Sequence, residues 1–174
     1  MIDNIYIESQ IRNHPRTLSI IRRYPRARLI ECQNYHEIFN RRRQNFRVQK
    51  ARPALIIAKK TGSLLYEVPG DQHLGAHHNY YFSHLLNCPF DCRYCFLQGM
   101  FSSANYVLFV NYEDFVTAIG EICARHCAPV HLFSGYDCDS LALEPLTGFA
   151  AHFIEAVAKF DNAMLELRTK STQI

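Results

Sequence analysis

Three cysteines within eight residues, Cys88-Pro89-Phe90-Asp91-Cys92-Arg93-Tyr94-Cys95, constrain this chain more than any other feature. Thiolate is a soft donor that selects zinc or iron–sulfur clusters over the hard cations held by oxygen. Cubane clusters ordinarily take four cysteine ligands. A C-x3-C-x2-C triplet with no equally close fourth cysteine therefore leaves one iron open to a small molecule. Two other readings stand beside this one. Zinc would be held if His84, four residues upstream of Cys88, completed a tetrahedron with the three thiolates. Alternatively, the cysteines are small buried hydrophobes. Zinc sites usually pair two short arms across a loop, and a single uneven triplet departs from that pattern.

A chain of 174 residues makes one ordinary domain or two small ones, and 48% hydrophobic residues are enough for a real core. Met1-Ile2-Asp3-Asn4 does not begin a basic region followed by an apolar one, and no run approaches the ~18 apolar residues that span a bilayer. The expectation is a cytoplasmic protein that makes no use of a membrane. Seven cysteines, an odd number, favour metal binding in a reducing compartment over disulfides.

The net charge of +3 hides an asymmetry. Residues 1–78 carry 14 basic and 6 acidic side chains, whereas residues 79–174 carry 5 basic and 10 acidic ones. A boundary is expected near Asp71–Asn79, within a stretch from Pro69 to His78 that is rich in turn formers and histidine. Two domains follow: a basic N-terminal α/β domain over 1–78 and a second unit over 79–174.

In the first part, Ile5–Ile7, Arg28–Cys32 and Ala54–Ala58 read as strands. One helix is predicted to open at Pro15, and another to span Tyr35–Arg43. Arg41, Arg42, Arg43, Arg47, Lys50, Arg52, Lys59 and Lys60 form a basic cluster suited to phosphates, with Tyr35 and Phe46 as stacking groups. This is the basis for expecting DNA as a partner of the N-terminal part. The plainer reading is a solvated helix end, where basic residues favour the macrodipole.

In the second part, strands over Tyr80–Leu86, Tyr106–Val110, Val130–Ser134 and Ala163–Thr169 are separated by the cysteine loop and by helices over Glu113–His126 and Leu141–Phe160. Strand-then-helix alternation is the grammar of a β/α barrel. In such barrels reactive groups sit on loops leaving the C-terminal strand ends, where the cysteine loop, Gly135–Asp139 and Lys170 fall. The fold class is therefore α/β: a small N-terminal mixed α/β unit, then the first part of a partial (β/α) barrel.

The triplet, with Tyr94 just before its third cysteine, resembles the signature of the radical S-adenosylmethionine superfamily. Within it, residues 79–174 resemble the spore photoproduct lyase family at Cys92-Arg93-Tyr94-Cys95-Phe96-Leu97-Gln98, Val110–Asp114, Asp139-Ser140-Leu141, Leu146-Thr147 and Thr169-Lys170. The N-terminal part is similar to that family's leading segment without a sharp motif. The resemblance implies a 4Fe-4S cluster on Cys88, Cys92 and Cys95 and S-adenosylmethionine on the open iron. Tyr94 would lie beside the adenosyl group, Lys170 on the methionine carboxylate, and Cys138 where the family has a serine facing the cofactor. It further implies a 5′-deoxyadenosyl radical that abstracts hydrogen from a methylene-bridged thymine dimer in DNA, with a flavodoxin or ferredoxin as electron donor.

This chain departs from the family in two respects. The position of the radical-quenching cysteine aligns with Tyr136, so Tyr136 and Cys138 are both candidates to return hydrogen. The strand over 163–169 would be only the third main barrel strand, and a half barrel has an exposed edge of unpaired N–H and C=O groups. The chain is accordingly expected to be an inactive fragment or a half completed by a complementary C-terminal chain. A zinc-containing nucleic-acid-binding module is the competing class.

Overall fold

The structure, a computed structural model, describes residues 2–69 and 76–172. Its elements in chain order begin with β1 (Asn4–Glu8), α1 (Pro15–Arg22), β2 (Arg28–Cys32), α2 (Phe46–Ala51) and β3 (Leu55–Ala58). They continue with β4 (Tyr66–Glu67), β5 (His78–Phe82), β6 (Leu85–Leu86), α3 (Leu97–Met100), β7 (Tyr106–Phe109) and α4 (Tyr112–Arg125). The chain then runs through β8 (Val130–Ser134), α5 (Glu144–Thr147), α6 (Phe149–Val157) and β9 (Ala163–Glu166). The class is mixed α/β with largely parallel sheets, as the alternation predicts.

The strands form two sheets that belong to two compact units, each discontinuous in sequence. One unit runs to Lys60 and resumes over Leu85–Val110, while the other takes Thr61–His84 and the chain from Asn111 onward. The division expected at 71–79 falls inside the second unit, and residues 70–75 of that stretch, including the candidate linker His73, lie outside the described residues.

The first unit carries a five-stranded sheet in the order β2-β1-β3-β7-β6, parallel apart from the antiparallel β6–β7 pair. Its middle strand β3 is buried at all four positions, which is why it reads as an unbroken apolar run. Leu55 pairs with Ile5 on one side and with Tyr106 on the other. Tyr106–Val110, read from the sequence as a strand of the second part, therefore sits beside β3 in the first unit.

The second unit carries a four-stranded sheet, β4-β5-β8-β9, in which β5, β8 and β9 are parallel. Helix α4 buries Tyr112, Phe115, Ile119, Ile122 and Cys123, a helical stripe, and has Glu113 and Asp114 in its first turn and Arg125 in its last. Phe82, Phe115, Phe149 and Phe153, all 0–1% exposed, make its aromatic core.

Several predicted elements differ in extent. The helix expected over Tyr35–Arg43 is only a 3-10 turn at Tyr35–Glu37, because Asn40 (φ 56°) and Arg43 (φ 65°) are left-handed. The true helix is α2, capped by the Asn45 side chain, which accepts from the Val48 N–H. Tyr80–Leu86 divides at Ser83-His84 into β5 and β6, which join different sheets. Leu141–Phe160 breaks at Gly148, whose φ of +57° ends α5 and starts α6.

Candidate functional site

The cysteine loop leaves β6 through Asn87, a left-handed residue (φ 67°) whose side chain donates to the carbonyls of Ser103 and Asn105 at 2.7 Å each. Asparagine tolerates that conformation better than most residues, and both bonds are buried, so the start of the loop is fixed. Beyond it, Cys88, Cys92 and Cys95 are half-buried cysteines outside any disulfide. The Cys95 N–H donates to the Cys92 carbonyl at 3.0 Å, turning the chain into α3. Tyr94 stands 81% exposed and Phe96 63% exposed.

Two further contacts hold the loop to α2. Lys50 Nζ donates to Asp91 Oδ1 at 2.5 Å and to Gln98 Oε1 at 2.6 Å. The Gln98 amide in turn donates to the Phe90 carbonyl at 3.0 Å. A groove of about 570 Å³ lined by Phe46, Arg47, Lys50, Ala51, Asp91 and Gln98 runs alongside. Sequence reasoning gave these polar residues no role in the loop, since Lys50 and Asp91 are 41 residues apart.

Among the described residues no group of three or more His, Cys, Asp and Glu side chains is placed to hold a metal ion. In type and number the donors nonetheless suit an iron–sulfur cluster: three thiols free of disulfides on one half-buried loop. Cluster uptake would have to draw them inward.

His84, the fourth ligand of the zinc reading, is a core residue. It is 1% exposed, stacks on Phe149 with 3.8 Å between ring centroids, and meets Tyr112 edge-on. Its Nδ1 has no hydrogen-bond partner among the described residues. Burial pushes its imidazole down to about 3 from the ordinary 6.5. Above pH 6.5 the ring is neutral in both folded and unfolded states. Below that, the unfolded chain takes up a proton that the folded one refuses, so stability is lost progressively from pH 6.5 towards pH 3. At pH 5 the loss from this group is about 2 kcal/mol. Urea unfolding at pH 7 and pH 5 should show that difference in the native chain and its removal in His84→Phe.

The remaining site residues lie in the second unit, on the chain leaving β8 and β9. Tyr136 is half-exposed, its ring 4.3 Å from that of Tyr81. Cys138 is buried, at 6% exposure. The buried Asp139 carboxylate accepts from Thr169 Oγ1 at 2.7 Å, from the Lys170 N–H at 2.5 Å and from the Leu141 N–H at 2.9 Å. Ser140 exchanges bonds with Arg168: its N–H donates to the Arg168 carbonyl at 3.0 Å, and its Oγ accepts from the Arg168 N–H at 3.1 Å. Two of the predicted loops, 135–139 and that of Lys170, are thus locked together. Gly135 permits this, for its φ is +69° and a Cβ there would lie 2.7 Å from Ser140 Oγ and 2.8 Å from the Ser140 nitrogen.

In the basic cluster Arg41, Arg42, Arg43, Arg47 and Arg52 are exposed. Tyr35, a candidate stacking group, is half-buried and packs edge-on against Phe109 at 5.5 Å. Among the described residues no helix is long and apolar enough to cross a membrane.

Against known proteins, no family model matches the chain and no curated protein matches it in sequence. Solved structures do. A variant of spore photoproduct lyase with bound AdoMet and dinucleoside spore photoproduct superposes with a TM-score of 0.75 at 16% identity, covering 95% of this chain and 48% of that one. The fold is that of spore photoproduct lyase. A second variant of that lyase gives a TM-score of 0.73 at 16% identity, and its complex with dinucleoside spore photoproduct gives 0.72 at 15%, with the same coverages. The chain spans about half the length of these lyase structures. The partial barrel expected from strand–helix alternation is thus found in the lyase fold.

Proposed function

We propose that this chain is a radical S-adenosylmethionine iron–sulfur protein of the spore photoproduct lyase kind. The observation that carries the reading is a C-x3-C-x2-C loop on a spore photoproduct lyase fold. Cys88, Cys92 and Cys95 would hold a 4Fe-4S cluster through three irons. When bound, that group supplies the electron that splits S-adenosylmethionine into methionine and a 5′-deoxyadenosyl radical for hydrogen abstraction.

The chain's own residues do the rest. The exposed ring of Tyr94 can cover an adenine face, and the Lys170 ammonium can pair with the methionine carboxylate. Asp139 fixes the backbone that carries Lys170. Tyr136 and Cys138 are the candidate hydrogen donors, and the exposed phenol of Tyr136 is the better placed to meet a bulky substrate than the buried Cys138. The substrate class is a thymine dimer in DNA, with the exposed arginines from Arg41 to Arg52 on its phosphates. A flavodoxin or ferredoxin would be the donor that reduces the protein beforehand. β9 leaves one edge of its sheet unpaired among the described residues, and a complementary C-terminal chain would cover it.

Anaerobic reconstitution with iron and sulfide tests the reading. Brown protein that releases 5′-deoxyadenosine from S-adenosylmethionine under dithionite is the expected result, alone or with a C-terminal half added. Colourless protein with stoichiometric zinc would overturn it.

A further inference from the structure

We infer that Lys50 is a positioning residue for the cysteine loop: its ammonium ties together the two arms of the C-x3-C-x2-C motif and keeps a positive charge at the base of the loop. This deepens the proposed function and rests on it. One arm is the Cys88–Cys92 interval, which contributes Asp91; the other is the turn after Cys95, which contributes Gln98. Lys50 donates to both, and Gln98 reaches back to the Phe90 carbonyl, so three bonds close a ring across the base of the motif.

The side chain is built for this work. Whereas its arginine neighbours on and around α2 are exposed, the Lys50 side chain is only 30% exposed. Its ammonium stands 5.6 Å from the centre of the Phe46 ring. It also lines a small pocket with Cys88, Asn87 and Tyr106. Asp91 is 80% exposed, so the ion pair alone contributes little. What matters is the convergence of two acceptors from separate arms on one cation. Cys92 and Cys95 lie between the two anchored residues, so the tie holds the frame without bonding either thiol. A fixed cation in the pocket shared with Cys88 also favours the reduced, more negative state of a cluster.

Lys50→Gln, Lys50→Arg and the neighbouring control Arg47→Gln test the inference in the full chain. Iron loss to a chelator, the midpoint potential of the reconstituted cluster, and hydrogen exchange of amides 88–98 in the metal-free protein are the three readouts. Lys50→Gln should lose iron roughly tenfold to a hundredfold faster, the usual effect of removing an outer-shell partner. Its midpoint should move to more negative potential, and its loop amides should exchange faster. Lys50→Arg should recover most of the retention, and Arg47→Gln should match the native chain in these three readouts, none of which reports on DNA binding. Lys50→Gln that matches Arg47→Gln in all three readouts would overturn the inference. If the native chain takes up no iron, the proposed function fails and exchange in the metal-free protein decides the positioning role by itself.

Discussion

Cys92→Ala is expected to abolish cluster binding outright: no brown colour after reconstitution, iron and acid-labile sulfide at background, and no 5′-deoxyadenosine. The loss is all-or-none because two thiols, Cys88 and Cys95, cannot retain a cubane whose fourth iron the protein already leaves open. No neighbour can take over. Asp91 is a hard oxygen donor already engaged by Lys50. Cys32 is in the same unit, but burial, with Glu8, Glu37 and Glu31 nearby, pushes its thiol up to about 11, so it stays protonated. Cys123 and Cys138 are buried in the other unit. The metal-free variant should fold as the native chain does, with stability changed by no more than about 0.5 kcal/mol, since Cys92 lies half-buried on a loop. Equal thermal melts together with total loss of iron would separate ligation from folding. Full iron content in Cys92→Ala would end the cluster reading.

Features encoded locally were legible in the sequence. The cysteine spacing is one, since three ligands within eight residues need no tertiary information. The α4 stripe of Phe115, Ile119 and Ile122 is another, as is the unbroken apolar run of β3. Features that depend on distant partners or on unusual backbone were hidden. Nothing at Tyr106 announces that its strand pairs with Leu55 in the first sheet. Asn40 is of a type that tolerates the left-handed region, but the side chain alone does not say where that conformation is used, and Arg43 carries no such signal, so the failure of the helix over 35–43 could not be read. At the site, Asp139 and Lys170 are joined across 31 residues and Lys50 and Asp91 across 41. In both cases the residues themselves were in view while the bonds that fix them were not, because positioning is a property of the fold.

Phe153→Ala carries the largest expected cost in stability, about 3–5 kcal/mol. Phe153 is fully buried on α6, and its ring lies 4.5 Å from that of Phe149, 5.2 Å from Tyr112 and 5.4 Å from Phe82. Truncation removes the ring's transfer free energy and leaves a void walled by aromatic groups, which cannot collapse into it without giving up their mutual contacts. Set against a typical stability of about 5–15 kcal/mol, that is a large fraction of the whole. For a chain of this size it corresponds to a fall in Tm of roughly 6–20 °C. The effect should reach the site, because Phe82 ends β5, and β5 pairs with β8, from which the loop of Tyr136 and Cys138 departs. Amides of 135–140 and 168–171 should therefore lose exchange protection with the core, while those of β1 and β3 in the other unit change less. Phe153→Leu, which refills most of the space, should recover more than half of the loss. A Phe153→Ala chain within about 1 kcal/mol of the native one in urea unfolding would mean that this aromatic cluster does not hold the second unit together.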